Sequence, residues 1–164
     1  MIVFGIAGWS GSGKTTLIEK LVPQFTRRGL AVSVIKHAHH GFDLDRPGKD
    51  SYRHREAGAT RVLMLSTDRW VLMNELRGAP EPDLEAQLAL LAPCDVVLIE
   101  GFKAAAVPKV EIYRTGNGKP PLWPENPHVV AVASDIVPEC PLPTFSLDDA
   151  ASIADFILGY RPTP

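Results

Sequence analysis

An α/β fold with a mostly parallel central sheet, extended by additional antiparallel strands, is the class this sequence predicts. Three observations predict it. Apolar runs of strand length alternate with amphipathic stretches of helical period. A glycine-rich turn joins the first apolar run directly to the first helical stretch. Two strand-like stretches at 61–75, and an isolated one, "KVEIYR", fall outside simple strand–helix–strand alternation.

The elements follow in order. Met1–Ala7, "MIVFGIA", is a continuous apolar run, as a buried parallel strand should be. A helix is expected from about Lys14 to Arg28, with Leu17, Ile18, Leu21, Val22 and Phe25 as its apolar stripe. Pro23 should kink it, Arg27 and Arg28 suit its negative end, and Gly29 is a stop signal. "AVSVIK" is a second strand. A polar loop, "HAHHGFDLDRPG", then precedes a short helix, "KDSYRHREAG", closed by Gly58. "TRVLMLS" and "RWVLMNEL" read as two strands joined by a tight turn at Thr67-Asp68. A helix over roughly Pro82 to Leu91 presents Leu84, Leu88 and Leu91 on one face, and "CDVVLIEG" is a buried strand ending in an acid. "KVEIYR" alternates like a half-exposed strand, which leaves an edge needing cover. "TGNGKPPLWPENP" is a loop and "HVVAVAS" a buried strand. A last helix, about Leu147 to Leu158, follows Ser146, whose Ser-x-x-Asp spacing fits a capping box.

With 164 residues, 45% hydrophobic and 22% charged, the chain reads as one globular domain over 1–164. A net charge of −2 supplies no global attraction to nucleic acid or to an anionic membrane. No apolar run approaches the ~20 residues of a membrane span, and "MIVFGIA" lacks the features of a signal segment. Cys94 and Cys140 are far apart and read as small buried apolar residues of a reducing compartment. A cytoplasmic protein is the expectation.

"GWSGSGKT" matches G-x-x-x-x-G-K-[ST] at every fixed position. Gly8, Gly11 and Gly13 let the backbone wrap closely around phosphates, and the residues between them, Trp9, Ser10 and Ser12, aim their N–H groups inward. The helix that follows points its positive end at the anion. Lys14 can reach the β- and γ-phosphates as the catalytic cation. Thr15 can place its hydroxyl on Mg²⁺, and Thr16 extends the cradle. The strand-then-helix setting is the context this P-loop requires. A metal-bound triphosphate also needs an acid at the end of a neighbouring strand. Glu100 in "VVLIEG" supplies it, whereas Asp95 stands at the wrong end of the same strand.

The loop "KHAHHGFDLDRPGKDS" carries Lys36, His37, His39, His40, Asp43, Asp45, Arg46, Lys49 and Asp50. The histidines are open to three readings: a transition-metal site, a grip on an anionic ligand, or a solvated loop. Among them His37 stands nearest the strand end. Asp43, Asp45 and Asp50 are candidates for Mg²⁺ or for orienting the attacking water, with Asp45 taken as the catalytic acid. Arg53 and Arg55 are either anion contacts or a solvated face.

"GWSGSGKTTLIEKL", "IKHAHHGFDLDRPGKDSYRHREAGA", "RWVLMNEL", "VLIEGFK", "PKVEIYR" and "HVVAVASD" occur in this order. Together they resemble the molybdopterin-guanine dinucleotide biosynthesis protein B (MobB) family over nearly the whole chain. The resemblance implies a P-loop NTPase three-layer fold and a GTP-binding protein with weak Mg²⁺-dependent hydrolysis. It implies a role beside the guanylyltransferase MobA, which attaches GMP to molybdopterin, or in delivering the finished cofactor to molybdoenzyme apoproteins. It also implies a homodimer, which would account for the extra strands. Carried onto this chain, Gly8–Thr16 bind phosphate, Thr15 and Glu100 serve Mg²⁺, and the segment Lys36–Asp50, including His37, lies beside the nucleotide. A guanine edge presents two donors that one carboxylate can accept. Asp135, at the end of "HVVAVASD", is the candidate, although the Asn-Lys that precedes such an Asp in other GTPases is missing. The competing reading is a small nucleotide or metabolite kinase, which the lack of arginine in "TGNGKPPLWPENP" weakens.

Overall fold

A computed structural model describes residues 1–38, 41–102 and 105–161. Its contacts divide the chain into two compact units, Met1–His37 with Leu88–Pro164, and Ala38–Gln87. His39 and His40 lie outside the described residues.

The larger unit is built on a six-stranded sheet: β1 (Ile2–Ala7), β2 (Val32–Lys36), β5 (Val96–Glu100), β6 (Lys109–Tyr113), β7 (Val129–Ser134) and β8 (Thr144–Ser146), in the order β2-β5-β1-β6-β7-β8. Every pairing is parallel. Alternation sorts the side chains onto two faces. Phe4, Ile6, Val96, Leu98, Val110, Ile112, Ala131 and Ala133 join one core with α1 (Lys14–Thr26) and α4 (Ala150–Gly159), through Leu17, Leu21, Phe25, Ile153, Ala154 and Ile157. Pro23 lies inside α1. The helix ends in a Schellman motif: Leu30 N bonds Phe25 O, Gly29 N bonds Thr26 O, and Gly29 takes φ 76°.

Three expectations are corrected here. "KVEIYR" is neither half-exposed nor an antiparallel edge. As β6 it is a central parallel strand between β1 and β7, and Lys109 and Glu111 are about as buried as the core. Its charged residues face the sheet surface opposite α1 and α4, where backbone carbonyls of the segment before the strand satisfy Lys109 and backbone amides of the loop after it satisfy Glu111. The last helix begins at Ala150, and its N-cap is Asp149, whose Oδ1 accepts from Ser152 N at 3.0 Å. Ser146 instead closes β8, a three-residue strand that the surrounding prolines conceal in the sequence. Cys94 and Cys140 are free but only half-buried.

The smaller unit holds α2 (Asp50–Glu56) and a two-stranded antiparallel sheet of β3 (Arg61–Leu65) and β4 (Trp70–Asn74), turning at Ser66–Arg69. The helix α3 (Leu84–Leu91) follows it. Register pairs Leu63 with Leu72 and Leu65 with Trp70 on one face of the hairpin. All four are exposed, Leu65 at 72% and Trp70 at 66%.

Candidate functional site

β1 delivers the chain to Gly8 at the carboxyl edge of the sheet, where ligands of open parallel sheets bind. Gly8, Gly11 and Gly13 take φ values of 143°, 77° and 101°, which turn the loop and start α1 at Lys14. Space as well as conformation fixes Gly8: a methyl group there would stand 2.6 Å from Ser12 Oγ and 2.8 Å from Ile112 O. Ser12 N closes the turn onto Trp9 O at 3.1 Å. Ser10 and Gly11 are exposed at the tip, as are Thr15 and Thr16 on the first helical turn. The amides of that turn have no acceptor within the helix and point outward at its positive end. Lys14 Nζ folds over the loop and donates to Gly8 O and Trp9 O at 3.0 and 2.9 Å. The geometry is that of a P-loop cradle.

Glu100 ends β5 in register with Ile6 on one side and Lys36 on the other. Thr15 Oγ1 donates to its Oε1 at 2.9 Å, and Lys36 Nζ stands 3.9 Å from the same oxygen. Two cis ligands of an octahedral Mg²⁺ are separated by about 2.9 Å, so the Thr15–Glu100 pair fits as two corners of such a shell. His37 follows β2 along the same edge. Its N–H bonds Glu100 O at 3.1 Å, and its ring packs edge-on to Phe102 at 4.7 Å. Thr15, Lys36 with His37, and Glu100, from three separate stretches of the sequence, are thus brought together on one side of β1. Asp95 holds the opposite end of the sheet, its Oδ2 accepting from Ala31 N at 2.8 Å. Asp135 leaves β7 exposed at the carboxyl edge, on the other side of β1. With β6 between, it stands two strand spacings from the P-loop strand, about 10 Å.

Sequence reasoning missed a second set of residues. Glu111 accepts from Leu122 N and Trp123 N at 2.8 and 2.9 Å, which pins the 115–126 loop to the sheet. Burial pushes its carboxyl above the usual range, against the pull of these two amides. Trp9 Nε1 donates to Pro120 O at 2.8 Å, tying the same loop to the cradle. Lys109 Nζ donates to Ala105 O and Val107 O, and burial pushes its pKa down. Arg114 Nε donates to Ser12 O at 2.9 Å. These partners are distant in sequence or lie on the backbone, so no local pattern marks them. The resemblance of "PKVEIYR" to a family segment was the available signal.

In the smaller unit Arg55 is neither solvated nor a free anion contact. Its Nη1 bonds Glu75 at 2.9 Å, its Nη2 both oxygens of Asp43 at 3.0 Å, and its Nε Asp45 at 3.2 Å. Asp45 also accepts from Ser51 Oγ and Arg46 N. The Asp45 N–H, then Arg55, hold the Asp43 carboxyl below its usual range. For Asp45, burial pulls upward, but Ser51, Arg46 and Arg55 outweigh it and lower the pKa. Asp43 raises the Arg55 pKa further after Glu75. Among the described residues, no group of three or more His, Cys, Asp or Glu side chains is placed to hold a metal.

A family model for molybdopterin guanine dinucleotide synthesis protein B (MobB) matches residues 3–135. The chain belongs to the MobB family. It is 42% identical to the molybdopterin-guanine dinucleotide biosynthesis adapter protein of Haemophilus influenzae, over 96% of this chain and 88% of that one. It is 39% identical to the protein of the same name from Escherichia coli, over 96% and 92%. A crystal structure of molybdopterin-guanine biosynthesis protein B superposes with a TM-score of 0.77 at 28% identity, covering 96% of this chain and 98% of that one. The match to MobB takes in five of the six strands of the larger sheet, β1 from its second residue on, and with them the cradle.

Proposed function

We propose that this MobB chain is a GTP-binding adapter of molybdenum cofactor biosynthesis. It acts beside the guanylyltransferase MobA, or in passing molybdopterin or its guanine dinucleotide to molybdoenzyme apoproteins. The observation that carries the nucleotide reading is the Thr15–Glu100 contact of 2.9 Å at the mouth of the glycine cradle. Gly8–Thr16 would hold the phosphates, with Lys14 leaving the Gly8 and Trp9 carbonyls for the β- and γ-oxygens. Thr15 and Glu100 would hold Mg²⁺, which when bound offsets phosphate charge. The Lys36–His37 corner would receive the γ end, and Asp135 would accept from the guanine edge. Hydrolysis would be slow. Asp45 already accepts three hydrogen bonds, which leaves little of a carboxylate's capacity for orienting water. We assign it to ordering its loop.

The adapter role rests on the names of the relatives, and a cytoplasmic location accords with it. A homodimer is supported by the hairpin face of Leu63, Leu65, Trp70 and Leu72. A two-stranded sheet is marginal alone, and an open apolar face of this kind calls for a partner.

Calorimetric titration tests the reading. Wild-type protein should bind GTP in the presence of Mg²⁺, and Lys14→Ala should keep the fold while losing about 1.5–3 kcal/mol, some 10- to 100-fold in affinity. Product analysis should find only slow phosphate release from GTP. Phosphate transferred to an acceptor would favour the kinase reading, and unchanged affinity in the variant would remove Lys14 from the site.

A further inference from the structure

The geometry points to Arg114 as the platform on which the purine ring of the nucleotide rests, and as the side chain that joins base recognition to the phosphate cradle. This rests on the GTP reading above and deepens it.

Tyr113 and Ser134 are the last register partners of β6 and β7. Arg114 and Asp135 are the next residues of their chains, so they leave the sheet side by side at its carboxyl edge. They form no ion pair with each other. Arg114 turns instead toward β1, where its Nε bonds Ser12 O at 2.9 Å. Its guanidinium lies against the first turn of α1: a methyl group on Gly13 would stand 3.5 Å from Nη2 and 3.7 Å from Nε. The bond to Ser12 ties the group down at Nε and leaves both terminal nitrogens without a hydrogen-bond acceptor among the described residues. Its charge also helps lower the pKa of Asp148, after the larger effect of Lys20, which pairs with Asp148 at 2.8 Å.

The direction of a bound nucleotide decides what Arg114 meets. The metal corner, Thr15 with Glu100, lies on the β5 side of β1, and Lys36 and His37 lie beyond it. The terminal phosphates therefore belong on that side. The nucleoside must run the other way, across the end of β6 toward β7, where Arg114 and then Asp135 stand. A guanidinium is planar, weakly hydrated and always charged, and it stacks on aromatic faces. An arginine held beside the cradle, next to a carboxylate able to accept from a guanine edge, is suited to a purine lying over it.

The test compares GTP with inorganic tripolyphosphate, which has the phosphates and no base, on wild-type, Arg114→Ala and Arg114→Lys proteins shown by thermal melting to be folded. Arg114→Ala should weaken GTP about tenfold and leave tripolyphosphate unchanged. Arg114→Lys, which keeps a donor for Ser12 O but loses the plane, should recover only part of the GTP affinity. An equal loss for both ligands would overturn the proposal by assigning Arg114 to the phosphates or to the loop's shape, and no loss for either would overturn it outright. Wild-type protein binding GTP no more tightly than tripolyphosphate would instead overturn the nucleoside reading itself.

Discussion

At the scale of single residues, the glycines and the buried charges behave as pairs. Gly5 sits in the middle of a buried strand because the stem of Lys109 crosses it: a methyl group there would lie 2.7 Å from Lys109 Cγ. Gly5→Ala should therefore destabilise the protein by about 1–3 kcal/mol, as overpacking does, read as a lowered urea midpoint. An unaltered midpoint would mean that the lysine stem moves aside freely. Asp135 makes a sharper prediction. Asp135→Asn should weaken GTP and improve xanthosine triphosphate, whose C2 oxygen can accept from the new amide. Titrating GTP, ATP and XTP against both proteins measures it, and an unchanged preference would move base recognition elsewhere. Charged residues are seldom buried, so Lys109 and Glu111 read as outward-facing in sequence. Their satisfaction comes from Ala105, Val107, Leu122 and Trp123, which no periodicity announces.

At the scale of elements, strand β1, helix α1 and the turn between them were legible because local rules agree: an apolar run, three glycines, a lysine, and a helical stripe. β5 was legible for the same reason, with Glu100 at its end. β6 was misplaced because alternating charge describes an edge strand until the loops that cover it are known. β8 was missed because three residues after a proline-rich stretch carry no pattern. The network around Arg55 was invisible because Asp43, Asp45 and Glu75 converge only through the fold of the smaller unit. That network has a pH signature. Asp43 and Asp45 have depressed pKa values in the folded state, so the stability they contribute is complete above the ordinary carboxylate value, about pH 4, and is lost as pH falls through the lower folded values. The Arg55 Nε–H resonance should stay protected from exchange at and above about pH 4 and lose protection only as pH falls through the lower folded values. Loss of that protection already near neutrality would contradict the arrangement.

At the scale of the whole molecule, the six-stranded sheet has a deep core on its α1–α4 face, whereas the β3–β4 hairpin carries large apolar residues in the open. Light scattering should find a dimer, and Trp70→Asp should yield monomer, because Trp70 and its register partner Leu65 are the most exposed of the four apolar residues on that face. A stable wild-type monomer at micromolar concentration would leave that face without its proposed partner. The most direct measurement of the central claim is calorimetric titration of GTP and ATP into the wild-type protein with and without Mg²⁺, repeated on Glu100→Gln. The account predicts one GTP per chain, tighter binding of GTP than of ATP, and a Mg²⁺ dependence that the Glu100 variant loses. Equal affinity for the two nucleotides, or Mg²⁺ dependence undiminished in the variant, would contradict it.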